Sequence, residues 1–188
     1  MRTVTAIFLA GAAMGCTAGY RRVNVREPAI ENVYLVGGQA QFGLDPERPR
    51  PYAGGAFGVL SKRSLPSDEV QGGTDEWYGV LLEGEGGMRF PLLRSSTGEL
   101  WTSVGGQLSL VRSAVHKAGP SGKHDHYDDD HEIHRFVGGG LAGRLGYSHR
   151  LGSEGRASLG IDVAAGVTSL GGLGRGTWVE VGLLTLRW

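Results

Sequence analysis

The sequence predicts an all-β protein folded as a single antiparallel up-and-down barrel of about eight strands. Three observations predict it: abundant glycine without a collagen-like period, a repeated two-residue alternation of side-chain character, and connections that alternate between short and long. Thirty-four glycines are present, where average usage would put roughly 13. Each interior Gly costs a helix about 1 kcal/mol relative to Ala, so long helices are disfavoured. Only seven prolines occur, and hydrophobic residues make up 40% of the chain. That composition supports a folded body rather than a disordered one. A chain of 188 residues has room for one such domain.

The amino terminus has the layout of a secretory signal over residues 1–15. Arg2 precedes the apolar run Val4-Thr5-Ala6-Ile7-Phe8-Leu9-Ala10, and small residues follow. As a helix, residues 3–15 would reach about 20 Å, short of the roughly 30 Å hydrocarbon core of a bilayer. Cleavage is expected before Cys16 or, alternatively, after the small-x-small triplet Cys16-Thr17-Ala18. The barrel domain is expected over 19–188. With a single cysteine no disulfide can form within the chain. Loss of 1–15 leaves 18 basic against 19 acidic groups, a net charge of −1, so nucleic-acid binding has no electrostatic support.

The strands follow in order. Tyr34, Val36, Ala40, Phe42 and Leu44 face away from Gln39 and Gln41, and the segment 52–61 is Gly-rich with no clear phase. Over 76–93, Tyr78, Val80, Leu82, Met88 and Phe90 oppose Glu83, Glu85 and Arg89; over 100–114, Leu100, Val104, Leu108 and Leu110 oppose Ser103, Gln107 and Ser109. Over 132–150, Ile133, Val137, Leu141, Leu145 and Tyr147 share one phase, and His134, Gly138, Ala142, Arg144 and Ser148 the other, with Phe136 the exception. Leu159, Ile161, Val163 and Val167 make the apolar face of 156–169, and a last segment covers 177–188. The connections 45–51, 94–99 and 151–155 are short, whereas 62–75 and 115–131 are longer and polar. With 33–44, seven segments result; an even count requires one more before them, and Tyr20 to Arg26 is the available candidate.

Across the body of the chain these alternating segments, with the terminal run Val181-Gly182-Leu183-Leu184-Thr185-Leu186-Arg187-Trp188, resemble the family of small eight-stranded bacterial outer-membrane barrel proteins. Leu184, Leu186 and Trp188 reproduce the alternating end with a terminal aromatic that family members carry. The resemblance implies an outer-membrane location, outer-membrane lipids as surroundings, and the barrel assembly machinery as a partner during biogenesis. Segments at or above the roughly 9–11 residues that span a bilayer agree with a membrane-embedded barrel. Likewise Ala13-Met14-Gly15-Cys16 resembles the lipobox of bacterial lipoproteins, which implies lipidation of Cys16.

An eight-stranded interior is just wide enough for side chains to fill it. Glu83, Glu85, Arg89, Gln107, Arg112, Arg144 and Asp162 are expected there as a packed polar core with its charges paired, since unpaired burial is costly. Catalytic signatures are weak. Ser148 and His149 are adjacent and so point to opposite faces, which breaks a nucleophile–base pairing, and His131-Glu132-Ile133-His134 lacks the zinc-protease spacing. The segment 124–134 carries four imidazoles and five carboxylates, ligand types suited to zinc or nickel. His124, His126 and His131 are the candidate ligands. The function expected is a non-enzymatic envelope protein whose barrel presents external loops. Two alternatives are a lipid-anchored soluble, lipocalin-like barrel binding a small apolar ligand, and a lipid-modifying outer-membrane enzyme.

Overall fold

The computed structural model describes residues 12–24, 31–42, 45, 47–66, 74–116, 131–152, 157–171 and 174–187. Eight strands form one closed ring in chain order: β1 (Ala12–Asn24), β2 (Asn32–Phe42), β3 (Arg50–Pro66), β4 (Thr74–Arg94), β5 (Gly98–His116), β6 (His131–Leu151), β7 (Ala157–Leu170) and β8 (Gly174–Arg187). Every neighbouring pair is antiparallel, and β1 closes the ring on β8 with Tyr20 opposite Val181. Closure leaves no edge, as a sheet in hydrocarbon requires.

The weakly patterned first strand is therefore real and longer than expected. It begins at Ala12, upstream of the barrel boundary expected at residue 19, because β2 runs alongside it that far, while β8 pairs with it from Gly15 onward. Ala12 lies opposite Phe42, and Gly15 lies opposite both Gln39 and Arg187.

Alternation resolves into an apolar outside and a polar or tightly packed inside. Leu141, Leu108 and Ile161 are 67%, 65% and 62% exposed on the exterior, while Glu83, Gln107, Ser109 and Asp162 are buried within the ring. A soluble barrel has the reverse arrangement, so the lipocalin-like alternative is not the fold adopted. At the end of the chain apolar residues occupy both phases, Val179, Val181 and Leu183 in one and Leu184 and Leu186 in the other, and this has a local cause. Both neighbours of β8 register a one-residue slip near Leu183, where β1 passes from Ala18 opposite Leu184 to Gly19 opposite Gly182. Such a bulge changes the phase of the alternation along the strand.

Paired glycines let the narrow ring close. Gly87 and Gly105 are register partners, and a Cβ on Gly87 would fall 2.1 Å from the Val104 carbonyl oxygen. Only glycine permits that approach.

Candidate functional site

The lumen is built in tiers. Towards the end bearing the β1–β2, β3–β4, β5–β6 and β7–β8 connections, here the loop end, it is filled by apolar side chains. Val23, Val33, Leu60, Leu81, Val111, Leu170 and Trp178 pack together, with Trp77 and Phe136 against them. Phe136 broke the sequence pattern because it is an inward aromatic on an otherwise small, polar face. Towards the opposite end, which holds the short turns, Arg89 lies with its guanidinium 3.9 Å from the centre of the Trp101 ring and donates to Glu99 at 3.3 Å. Arg50 donates to the same Glu99 oxygen at 2.8 Å. The Trp101 indole N–H donates to Ser148 Oγ at 3.2 Å.

Between these tiers lies an ionic lattice contributed by five strands. Arg21 on β1 donates through Nη1 and Nη2 to the two oxygens of Glu83 on β4, at 2.6 and 2.7 Å. It also donates through Nε and Nη2 to Glu180 Oε2 on β8, at 2.9 and 2.7 Å. The other oxygen of Glu180 accepts from Arg144 Nη1 on β6 at 3.0 Å, and the same nitrogen donates to Asp162 Oδ1 on β7 at 2.6 Å. Glu85 stands 3.6 Å from Arg144 Nη2 and accepts from Gln39 at 3.2 Å. Ser109 donates to Glu83. Two guanidiniums thus hold four carboxylates, and each extra acceptor is met by a neutral donor or a second fork. Planar arginine forks suit such shared geometry better than lysine would. The guanidinium of Arg21 also lies 4.2 Å from the centre of the Trp178 ring, which joins the lattice to the apolar tier above. The cavity beside the lattice measures about 30 Å³, enough for water and too small for an organic ligand.

Of the interior residues expected from sequence, Glu83, Glu85, Arg89, Gln107, Arg144 and Asp162 face the lumen, and Arg112 does not. Arg112 is exposed on the outer face. It is five residues from Gln107, and an odd separation along an unbroken strand puts two side chains on opposite sides. Arg21 and Glu180, the lattice's central pair, were missed because Arg21 lies in the short, charged candidate strand Tyr20 to Arg26 and Glu180 in a segment with apolar residues in both phases. The usable signal was Glu180 as a lone carboxylate between Val179 and Val181.

Ser148 is buried and His149 exposed, so the geometry offers no serine–histidine pair there. His134 stacks on Trp77 with ring centres 5.6 Å apart. Of the candidate metal ligands, His124 and His126 lie outside the described residues. His131 heads β6 opposite His116. Among the described residues no group of three or more His, Cys, Asp or Glu is placed to hold a metal ion. Cys16 is exposed on the outer face of β1, opposite Gly38 and Leu186.

No protein-family model and no curated protein matches the chain. Solved structures do. Neisserial surface protein A is similar over 94% of this chain and 96% of its own, at 12% identity and a TM-score of 0.54. Ail, the attachment invasion locus protein of Yersinia pestis, solved in complex with the heparin analogue sucrose octasulfate, is similar over 93% of this chain and 98% of its own. Its identity is 10% and its TM-score 0.51. At such identities the likeness concerns the fold: the eight-stranded ring is shared from end to end.

Proposed function

We propose that the chain is a non-enzymatic outer-membrane β-barrel protein, a sealed platform that presents its loop-end connections to the surroundings. The observation that carries this reading is the inversion of polarity. An apolar exterior wraps a lumen closed by an apolar tier stacked on an ionic lattice. A diffusion channel needs a continuous polar path, and here packed Val, Leu and Trp side chains interrupt it. The ends of the strands joined by the short turns then face the periplasm, and the opposite end of the ring, where β5 ends at His116 and β6 begins at His131, faces outwards. Outer-membrane lipids surround the band, and the barrel assembly machinery reads the terminal strand.

Membrane fractionation with alkaline carbonate or urea washing, followed by an unboiled gel, tests the reading. Retention in the pellet and a heat-dependent mobility shift are expected, and planar-bilayer recordings should show no steady conductance. Release into the wash without a mobility shift would overturn the integral barrel, and a steady open current would overturn the sealed platform.

Acylation of Cys16 belongs to the same reading. Cleavage before it leaves β1 as residues 16–24, nine residues, at the lower bound of the roughly 9–11 that span a bilayer. Cleavage after Ala18 leaves six, too few to cross. An outward thiol on the end of the strand nearer the turns also puts acyl chains directly into lipid.

A further inference from the structure

The outer face carries an arrangement that membrane insertion alone does not explain. Arg112 on β5 and Arg135 on β6 are register partners, and both are exposed on the outside of the ring. Directly opposed residues of an antiparallel pair have Cα atoms about 5 Å apart, and like charges placed so repel. Neither guanidinium has an ion-pair or hydrogen-bond partner among the described residues. Their outer-face neighbours are apolar: Leu110 and Val80 beside Arg112, Val137 and Ile133 beside Arg135. Arg22, exposed on the outer face of β1, contrasts with them, since Glu31 neutralises it at 2.8 Å.

The depth of the pair follows from register. Leu100 and Tyr147 are partners twelve residues nearer the turn end on the same two strands. At about 3.3 Å per residue and a tilt of about 40°, the arginines stand roughly 30 Å above that rung along the barrel axis. That is about the thickness of the hydrocarbon core. With the Leu100–Tyr147 rung at the turn-end edge of the hydrocarbon, the two guanidiniums stand at the level where lipid headgroups begin, one outward rung below Ala114 and Ile133, and their aliphatic stems lie along the apolar surface.

We propose that Arg112 and Arg135 form a binding site for the phosphate of a membrane lipid in the leaflet at the loop end. The proposal rests on the membrane reading above. Two guanidinium forks side by side offer bidentate donors to one phosphate, and the phosphate removes the repulsion between them. A lipid is the committed source because the bilayer delivers phosphates at this height, beside apolar strand surface that its chains can cover.

Native mass spectrometry of the detergent-folded barrel tests this with dioleoyl phosphatidic acid and, as a phosphate-free control, dioleoylglycerol. Phosphatidic acid should be retained at least about tenfold more tightly, and Arg112→Gln with Arg135→Gln should abolish the difference. The paired Lys variant should fall between, because it keeps charge and loses the fork. Equal retention by wild type and the Gln variant would overturn the site, and displacement by inorganic phosphate at equal concentration would overturn the lipid as its source. An unboiled gel on the same samples separates the two readings. A barrel that folds without discriminating loses only this site, whereas a wild type without a mobility shift undoes the membrane reading itself.

Discussion

Replacing Arg21 with Met should be among the most damaging single changes in this barrel. Arg21 is 4% exposed and makes four hydrogen bonds, to Glu83 and to Glu180, while covering Trp178. Without it Glu83 keeps, among the described residues, the Ser109 hydroxyl, and Glu180 keeps Arg144. Stranding a buried charge by removing its partner typically costs about 3–5 kcal/mol. The four bonds cannot be summed separately, because they share two carboxylates in one network. With a urea dependence of about 2 kcal/mol per molar, the unfolding midpoint should fall by roughly 2 M. The assay is urea unfolding of vesicle-folded protein, followed in parallel by tryptophan fluorescence and by the heat-dependent gel shift. Arg21→Met with Glu83→Gln removes the stranded charge and should recover at least about half of the loss. A midpoint shift below about 0.5 M, or a double variant no more stable than the single one, would show that the lattice is not what holds the lumen together.

Glycine substitutions should divide by face: Gly146→Ala drives a Cβ to within 2.3 Å of the Trp101 ring and should cost about 1–3 kcal/mol. Gly84→Ala, on the outer face with nothing within 4 Å of the new atom, should be neutral or stabilising by up to about 1 kcal/mol, and the two midpoints compared in one urea series settle it. Palmitate labelling with mass spectrometry of the mature terminus should find an acylated Cys16; an unmodified chain beginning at Gly19 refutes this. Deleting Trp188 should lower the amount of folded protein in the membrane, read by the unboiled gel from whole cells, since a terminal aromatic at the interface serves assembly and anchoring; unchanged levels count against that role. Calorimetry with zinc and nickel decides between the two readings of the 124–134 segment: a solvated segment gives no saturable heat at neutral pH, whereas a metal site gives heat that weakens as pH falls through about 6.5, where imidazoles protonate, and that disappears when His124, His126 and His131 are replaced by Ala.

The strands were legible in the sequence because side-chain direction in a strand has period two, so Tyr78, Leu82 and Met88 share a face whatever the tertiary structure. The same period, applied strictly from Gln107, would have put Arg112 outside. Its charge suggests the interior, and register overrides charge. The two tryptophans Trp101 and Trp178 show the opposite case. An aromatic near a strand end is as compatible with an interfacial girdle as with a lumen, and both are buried under an arginine.

By itself the sequence determined seven of the strands, their antiparallel order and the two faces of most of them, because these follow from local alternation and connection length. Only the tertiary structure decided which face is inside, since alternation is symmetric under exchange of the faces. It also decided which charges meet. Arg21, Glu83 and Glu180 are separated by 62 and 159 residues from Arg21, and nothing local relates them. Closing β1 onto β8 in a definite register brings them to one height in the lumen. The same register sets Arg112 against Arg135 on the outside, where no carboxylate among the described residues answers them.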